Sequence, residues 1–255
     1  MSLGSDFTTR LGVALVLIGV AFGALWLGGF VFWLVVVVGG LLMMSEWAGL
    51  VGATLQQRRI AQYALSVPLA AMAPIALGPS FFALGLLGGA AFFVAAVTRN
   101  GRLGWGVAYV GLPVLSLVLL RAEPDGLLLT FWAMALVWAC DSGAFFAGRA
   151  IGGAKLAPAI SPNKTWAGFV GGIAAAGVFA AVLVLLFALP FPLALATPVL
   201  AVLAQAGDLY ESHLKRLAGV KDSGNLLPGH GGLMDRLDGL VAVAPAAALL
   251  ILLLR

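Results

Sequence analysis

The feature that most limits what this chain can fold into is a series of long apolar runs separated by short polar breaks. A helix crosses the bilayer's hydrocarbon with about 20 mostly apolar residues. Nine runs approach that length, at 11–27, 30–52, 60–77, 80–97, 104–120, 127–148, 167–189, 193–213 and 238–254. The breaks hold turn formers and charges, among them Gly28-Gly29, Gly78-Pro79, Asn100-Gly101, Glu123-Pro124-Asp125-Gly126 and Pro190-Phe191-Pro192. Several runs are apolar on every side, which suits lipid better than a half-wetted surface. A soluble domain needs a polar skin, and this chain has 62% apolar and 9% charged residues, against roughly 25% charged in soluble proteins. An ordinary soluble enzyme and a disordered chain are excluded. The single cysteine, Cys140, excludes an internal disulfide framework. The expectation is an all-α, polytopic integral membrane protein, one transmembrane domain over 1–255 with about nine transmembrane helices.

The basic residues test that count. With the N-terminal segment numbered zero, even-numbered breaks hold 12 of the 14 Lys and Arg residues, and odd ones hold only Arg121 and Arg255. The positive-inside rule then puts the N-terminus in the cytoplasm and the C-terminus outside, in a multi-pass protein of the cell (inner) membrane. The first run reads as an uncleaved anchor, because no small-x-small cleavage site follows it. The net charge of +4 forms no basic patch interleaved with aromatics, so no nucleic-acid partner is expected. The long polar segments, about 149–166 and 214–237, both fall on the cytoplasmic side, where any chemistry is expected.

The acids are few and gathered. Of ten, Asp6, Glu123 and Asp125 sit in a terminus or loop and Glu46 lies within the second run. The other six are Asp141, Asp208, Glu211, Asp222, Asp235 and Asp238. An aspartate deep in a bilayer costs about 2.5–3.5 kcal/mol, so six carboxylates in so apolar a chain need a use. Asp208 with Glu211, and Asp235 with Asp238, are each spaced to share a helix face. The two pairs flank one loop and can converge on a divalent cation. Hard carboxylate oxygens suit Mg²⁺, which binds through a few carboxylates and substrate phosphates. No His/Cys spacing suits zinc. The plainer reading is helix capping and ion pairing with Lys215, Arg216 and Arg236.

Lys215, Arg216, Lys221 and Arg236 are interleaved with these acids, and Lys164 follows Ser161-Pro162-Asn163 at the expected start of the seventh helix. A helix N-terminus suits phosphate. Pro228-Gly229-His230-Gly231-Gly232 can bring backbone N–H groups close to an anion, and no Walker A pattern occurs. The residues alone reach a cytoplasmic site, compatible with Mg²⁺ and phosphate, suited to joining a soluble nucleotide to a lipid phosphate.

The run SHLKRLAGVKDSGNLLPGHGGLMDRLD, from Ser212 to Asp238, resembles the signature of phosphatidate cytidylyltransferases. Gly207-Asp208-Leu209-Tyr210-Glu211 before it, Asp141-Ser142-Gly143-Ala144-Phe145 with Gly148-Arg149, and Lys155 through Trp166 are similar to that family as well. Glu46-Trp47 is a weaker likeness. The strong resemblance covers about 141–240, the expected catalytic region, while 1–140 matches mainly in hydropathy. Ala167-Gly168 stands where the family usually has Glu-Gly; a glutamate there would favour the helix dipole, so its loss is expected to be tolerated.

The resemblance implies that CTP and phosphatidic acid give CDP-diacylglycerol and pyrophosphate, with membrane lipids around the chain and a homodimer left open. It implies Asp208 and Asp235 as metal ligands, with Asp238 and Glu211 as ligands or supporting groups, and Mg²⁺ accompanied by a monovalent ion such as K⁺. Lys164, Lys215, Arg216, Lys221 and Arg236 would neutralise phosphates, with Asp208, Asp235, Lys215 and Arg236 closest to the chemistry. Ser212 and His230 would donate hydrogen bonds, and Ser161, Asn163 and Gly231 would contact nucleotide. Asp222 and Asp141 would orient bases or bind metal, an ion pair of Asp141 with Arg149 being the plainer alternative. Glu46 reads as a satisfied intramembrane carboxylate. The rival readings are a CTP-dependent lipid kinase, a cytidylyltransferase for another lipid phosphate and, more remotely, a cation-coupled transporter. The spacing of a CDP-alcohol phosphotransferase is missing.

Overall fold

The polar residues that punctuate the apolar runs become helix caps. The computed structural model describes residues 3–227, 229 and 231–254, with side chains from residue 12 onward. Among the described residues there are nine helices: α1 (Leu3–Leu27), α2 (Gly29–Leu50), α3 (Leu55–Ala71), α4 (Phe81–Thr98), α5 (Gly101–Ala122), α6 (Gly126–Ile151), α7 (Trp166–Phe187), α8 (Phe191–Leu217) and α9 (Met234–Leu253). Thr54 and Gln57 form a capping box at α3, Asn100 accepts from Leu103 N–H at 3.0 Å at α5, and Thr165 accepts from Gly168 N–H at 3.0 Å at α7. Each bond satisfies an N–H that the first turn leaves without a helical partner.

Among the described residues seven helices, α2 and α4 to α9, are long and apolar enough to cross a membrane. The chain is therefore an all-α polytopic membrane protein. The described apolar part of α1 is the shorter stretch Gly12–Leu27. The third helix differs from the run at 60–77: its capping box starts it at Leu55, and it ends at Ala71, giving 17 residues whose first turns hold Gln56, Gln57, Arg58 and Arg59. Large apolar side chains such as Phe81, Phe92 and Leu185 stand more than three-quarters exposed, as helices facing lipid require.

Two large buried clusters hold the bundle, with a small third of Cys140, Ala176 and Ala201 joining α6, α7 and α8. One joins the ends of α1, α2, α5, α6, α7, α8 and α9 remote from the acids, around Trp132, Leu136, Leu193 and Val243. There the Trp132 indole donates to Thr197 Oγ1 at 3.0 Å, and Thr197 returns its hydroxyl proton to Leu193 O at 2.9 Å. The other cluster packs α2, α3, α4 and the first half of α5 around Met44, Trp47, Leu65 and Leu87. Helix α9 packs on α5, α6 and α8 and belongs to both. Between lipid-soluble helices attraction comes from close packing, so small residues take the tightest crossing. At α6 against α7, a Cβ on Gly172 would stand 2.8 Å from Cys140 O, and one on Gly168 the same distance from Ala144 O.

Charged ends extend the helices beyond the apolar runs. Helix α8 continues to Leu217 and α9 starts at Met234, so Asp208, Glu211, Lys215, Asp235 and Asp238 all lie on helices. Between α6 and α7 the chain forms a hairpin the hydropathy pattern did not show, β1 (Lys155–Ala157) paired antiparallel with β2 (Ser161–Thr165). Ser161, Asn163 and Lys164 sit on β2 rather than at the first turn of α7, and Thr165 is the residue that caps that helix.

Candidate active site

The site forms where the hairpin, the last turns of α8, the loop 218–233 and the first turns of α9 meet. The i,i+3 spacing on α8 brings Asp208 and Glu211 to adjoining positions, and each meets a lysine. Lys164, projecting from β2, forms an ion pair with Asp208. Ser212 Oγ donates to the other Asp208 oxygen at 3.3 Å. Lys215 lies one turn beyond Glu211 and donates to Glu211 Oε1 at 3.1 Å and to Asp235 Oδ1 at 2.7 Å, joining α8 to α9.

Asp235 is also held by backbone. Ser223 N–H donates to both of its oxygens, at 2.9 and 3.2 Å, and Gly232 N–H donates to Oδ2 at 2.8 Å. The loop closes on itself above this point, with Leu227 N–H donating to Gly231 O at 2.9 Å. Gly231 has φ +83, and a Cβ there would stand 2.9 Å from Asp235 Oδ2, so both backbone conformation and space call for glycine.

Asp238 accepts from Gly239 N–H at 2.8 Å. Asp141, from α6, lies within electrostatic reach of Asp208, and Asp238 within reach of both. Five carboxylates, of Asp141, Asp208, Glu211, Asp235 and Asp238, thus share two ammonium groups, of Lys164 and Lys215. Glu211 is fully buried, and its Oε2 has no hydrogen-bond partner among the described residues. The Tyr109 hydroxyl on α5 is buried and unpartnered in the same sense.

Other candidates have different surroundings. Arg216 donates to Ile160 O at 3.4 Å and to Val220 O at 3.2 Å, fastening the hairpin turn and the loop to α8. Lys221 and Asp222 are exposed on the loop, and Arg236 is exposed in the first turn of α9. Ser161 is half-buried and Asn163 exposed on β2. Arg149 lies with its guanidinium 5.8 Å from the Phe145 ring centre and, among the described residues, forms no ion pair with Asp141. His230 lies outside the described residues. A groove of about 290 Å³ opens between α2, α5 and α8, lined by Trp47, Arg102, Trp105, Tyr210, Leu214 and Leu217.

The sequence model of the cytidylyltransferase family matches residues 8–254, which takes in most of α1, all of α2 to α9 and every element of this site. The chain belongs to that family. Its relatives include the phosphatidate cytidylyltransferase of Brucella suis biovar 1 (strain 1330), 41% identical over 256 residues that cover 97% of this chain and 93% of that protein. The protein of that name from Bacillus subtilis (strain 168) is 52% identical over 123 residues, 47% of this chain and 46% of its own. That from Staphylococcus haemolyticus (strain JCSC1435) is 43% identical over 151 residues, 57% of this chain and 56% of its own.

In this cytidylyltransferase the acids of α8 and α9 come together, but Asp208 and Asp235 each meet a lysine. Among the described residues no three acids stand as a ready-made cage for an ion. The donor set nevertheless suits a hard cation: carboxylate oxygens in excess over ammoniums, one of them buried without a hydrogen bond. One participant, Ser223, is not among the candidates the sequence offers, and Glu46, read there as a satisfied intramembrane carboxylate, is satisfied by three hydrogen bonds. Ser223 supplies a backbone donor to Asp235, and Glu46 binds the segment that carries that donor. Nothing in the spacing reveals Ser223. Glu46 was visible as an acid in an apolar run, but its partners lie 177–188 positions away.

Proposed function

We propose that this chain transfers the cytidylyl group of CTP to phosphatidate, forming CDP-diacylglycerol and pyrophosphate. A phosphate oxygen of the lipid attacks the α-phosphorus of CTP; the bond from that phosphorus to the bridging oxygen breaks, and pyrophosphate leaves with the electron pair. Such transfers ask the protein for position and charge rather than covalent chemistry. The observation that carries the reading is the Lys164–Asp208 and Lys215–Asp235 pairing inside the stretch of about 141–240 whose residues resemble the phosphatidate cytidylyltransferase signature. An ammonium has three donors. Lys215 gives one each to Glu211 and Asp235, and its third is left to face a phosphate. Lys164 is held through Asp208 at the edge of the hairpin that carries Ser161 and Asn163, the residues this reading gives to the nucleotide. The apolar groove between α2, α5 and α8 supplies the surface that a substrate with acyl chains requires.

Asp208, Glu211, Asp235 and Asp238 are the groups that would hold Mg²⁺, with K⁺ as its companion in the same reading. When bound, the metal supplies positive charge to the triphosphate oxygens and the departing pyrophosphate. Nine crossings, with the N-terminus inside and the C-terminus outside, belong to this proposal and put the site at the cytoplasmic face of the cell membrane.

Purified protein in detergent with CTP labelled at the α-phosphate, phosphatidate and Mg²⁺ tests the reading. CDP-diacylglycerol and pyrophosphate are expected, and Asp235→Asn is expected to lose turnover while still folded. Release of CDP with a phosphorylated lipid would instead establish the kinase.

A further inference from the structure

Glu46 lies near the end of α2 and is 8% exposed. Its Oε1 accepts from Leu233 N–H at 2.8 Å; its Oε2 accepts from Met234 N–H at 2.8 Å and from the Ser223 hydroxyl at 3.1 Å. The two backbone donors stand at the start of α9, where Leu233, at the cap position, has no side-chain oxygen to offer. A carboxylate from another helix therefore takes the capping role, with its negative charge at the positive end of the helix dipole. The approach is close: a Cβ on Gly232 would stand 2.8 Å from Glu46 Oε2.

These bonds interlock with those that hold Asp235. Glu46 takes the Ser223 hydroxyl while Asp235 takes the Ser223 N–H. Glu46 takes the N–H groups of Leu233 and Met234, while Asp235 takes the N–H of Gly232 just before them. Ser223 and residues 232–234 are thus clamped between one carboxylate from α2 and one from α9, and the Asp235 carboxylate in turn fixes the Lys215 ammonium at 2.7 Å.

We propose that Glu46 is a positioning residue for cytidylyl transfer. From α2 it sets the backbone donors that orient Asp235 and, through Asp235, the ammonium of Lys215; it touches no substrate. This inference rests on the function proposed above. A merely stabilising carboxylate would lower melting temperature and activity together. A positioning one lowers turnover out of proportion to stability, because its loss leaves the helices packed and the lysine misplaced.

The test uses the full chain in detergent, with Glu46→Gln, Glu46→Asp and, for comparison, Thr197→Val. The glutamine keeps the volume but removes the charge and turns an NH₂ toward at least one donor. Thr197→Val breaks the buried Trp132 bond in the half of the bundle remote from the acids. Glu46→Gln is expected to lower kcat by about tenfold or more, with KM for phosphatidate held within about twofold. Glu46→Asp, one methylene shorter with its charge kept, is expected to recover part of that loss. Thr197→Val is expected to lower the melting temperature while keeping kcat within about twofold. Turnover in Glu46→Gln that stays near the wild-type value, or falls only in step with melting temperature as in the comparison variant, overturns the proposal. Should Glu46→Gln fail to fold, Ser223→Ala carries the same comparison, since it removes one of the three bonds and keeps the carboxylate.

A second readout is independent of turnover. A nitroxide attached at Asn225→Cys, on the exposed part of the loop, is expected to gain mobility in Glu46→Gln and not in Thr197→Val; an unchanged spectrum overturns the clamp. A wild-type protein that makes no CDP-diacylglycerol would sink the functional reading instead, and the spectrum would still decide whether Glu46 holds the loop.

Discussion

Lys215 reaches Asp235 at 2.7 Å and so fastens the last turn of α8 to the first turn of α9. The same ammonium holds the buried Glu211 at 3.1 Å, so one charge serves two acids. Lys215→Met removes that charge and leaves both carboxylates facing each other in a mostly dry site. Removing one partner of a buried pair costs about 3–5 kcal/mol, which predicts a clear fall in melting temperature. Loss of an ammonium poised for phosphate predicts a turnover loss of about a hundredfold or more. Lys215→Arg keeps the charge, yet a planar fork cannot meet two acids on different helices as a tetrahedral ammonium does, so only partial recovery is expected. Product formation and melting temperature measured on the same preparations check both effects; a Lys215→Met protein with wild-type turnover would remove Lys215 from the mechanism.

The pair at the hairpin predicts a different signature. Lys164 and Asp208 are 23% and 29% exposed, and a pair so wetted contributes only about 0–1 kcal/mol to stability. Lys164→Met should therefore melt near the wild-type temperature while losing most turnover, with KM for CTP raised if the ammonium meets the triphosphate. A variant that melts early and still turns over would mark Lys164 as structural.

How far the sequence discloses this arrangement depends on the range of the forces involved. Apolar runs and turn residues act locally, so the helices from α4 onward lie close to the expected runs. Helix ends made of charged residues are hidden from hydropathy: α8 runs on through Lys215 and Arg216, and α9 begins at Met234, because their charges are paired within the protein rather than left in lipid. Hairpin β1–β2 contains Pro158 and Pro162 and has no alternating pattern, so it reads as a loop. The gathering of Asp208, Glu211, Asp235 and Asp238 follows from their spacing on two neighbouring helices. The partners of Asp235 do not, since Ser223 and Gly232 donate through backbone, which carries no residue-specific mark.

Close packing of α6 on α7 gives a stability prediction remote from charge. A Cβ on Gly172 would press to 2.8 Å on Cys140 O and 3.0 Å on Cys140 Sγ, atoms of a fully buried residue with little room to retreat. Gly172→Val should cost about 1–3 kcal/mol, as overpacking generally does. Gly88 on α4 meets nothing within 4 Å, and Gly88→Ala should be neutral or gain up to about 1 kcal/mol from helix propensity. Melting curves in one detergent test the contrast, and equal effects of the two substitutions would show that the α6–α7 crossing is looser than described.

The topology can be tested at two exposed loop positions. Asp125 lies between α5 and α6, at the end of the bundle opposite the acids, and Asn225 lies between α8 and α9, beside them. The native Cys140 is fully buried, so a maleimide that cannot cross the membrane should report on an introduced cysteine. With the N-terminus inside, Asp125→Cys should label on intact cells, and Asn225→Cys should label only after the membrane is opened. That outcome places the lysines and acids where cytosolic CTP can reach them and the groove at the inner leaflet. Labelling of Asn225→Cys from outside would reverse the orientation, and with it the premise that the nucleotide arrives from the cytoplasm. Labelling of both positions from one side would mean an even number of crossings between them, against the three supplied by α6, α7 and α8.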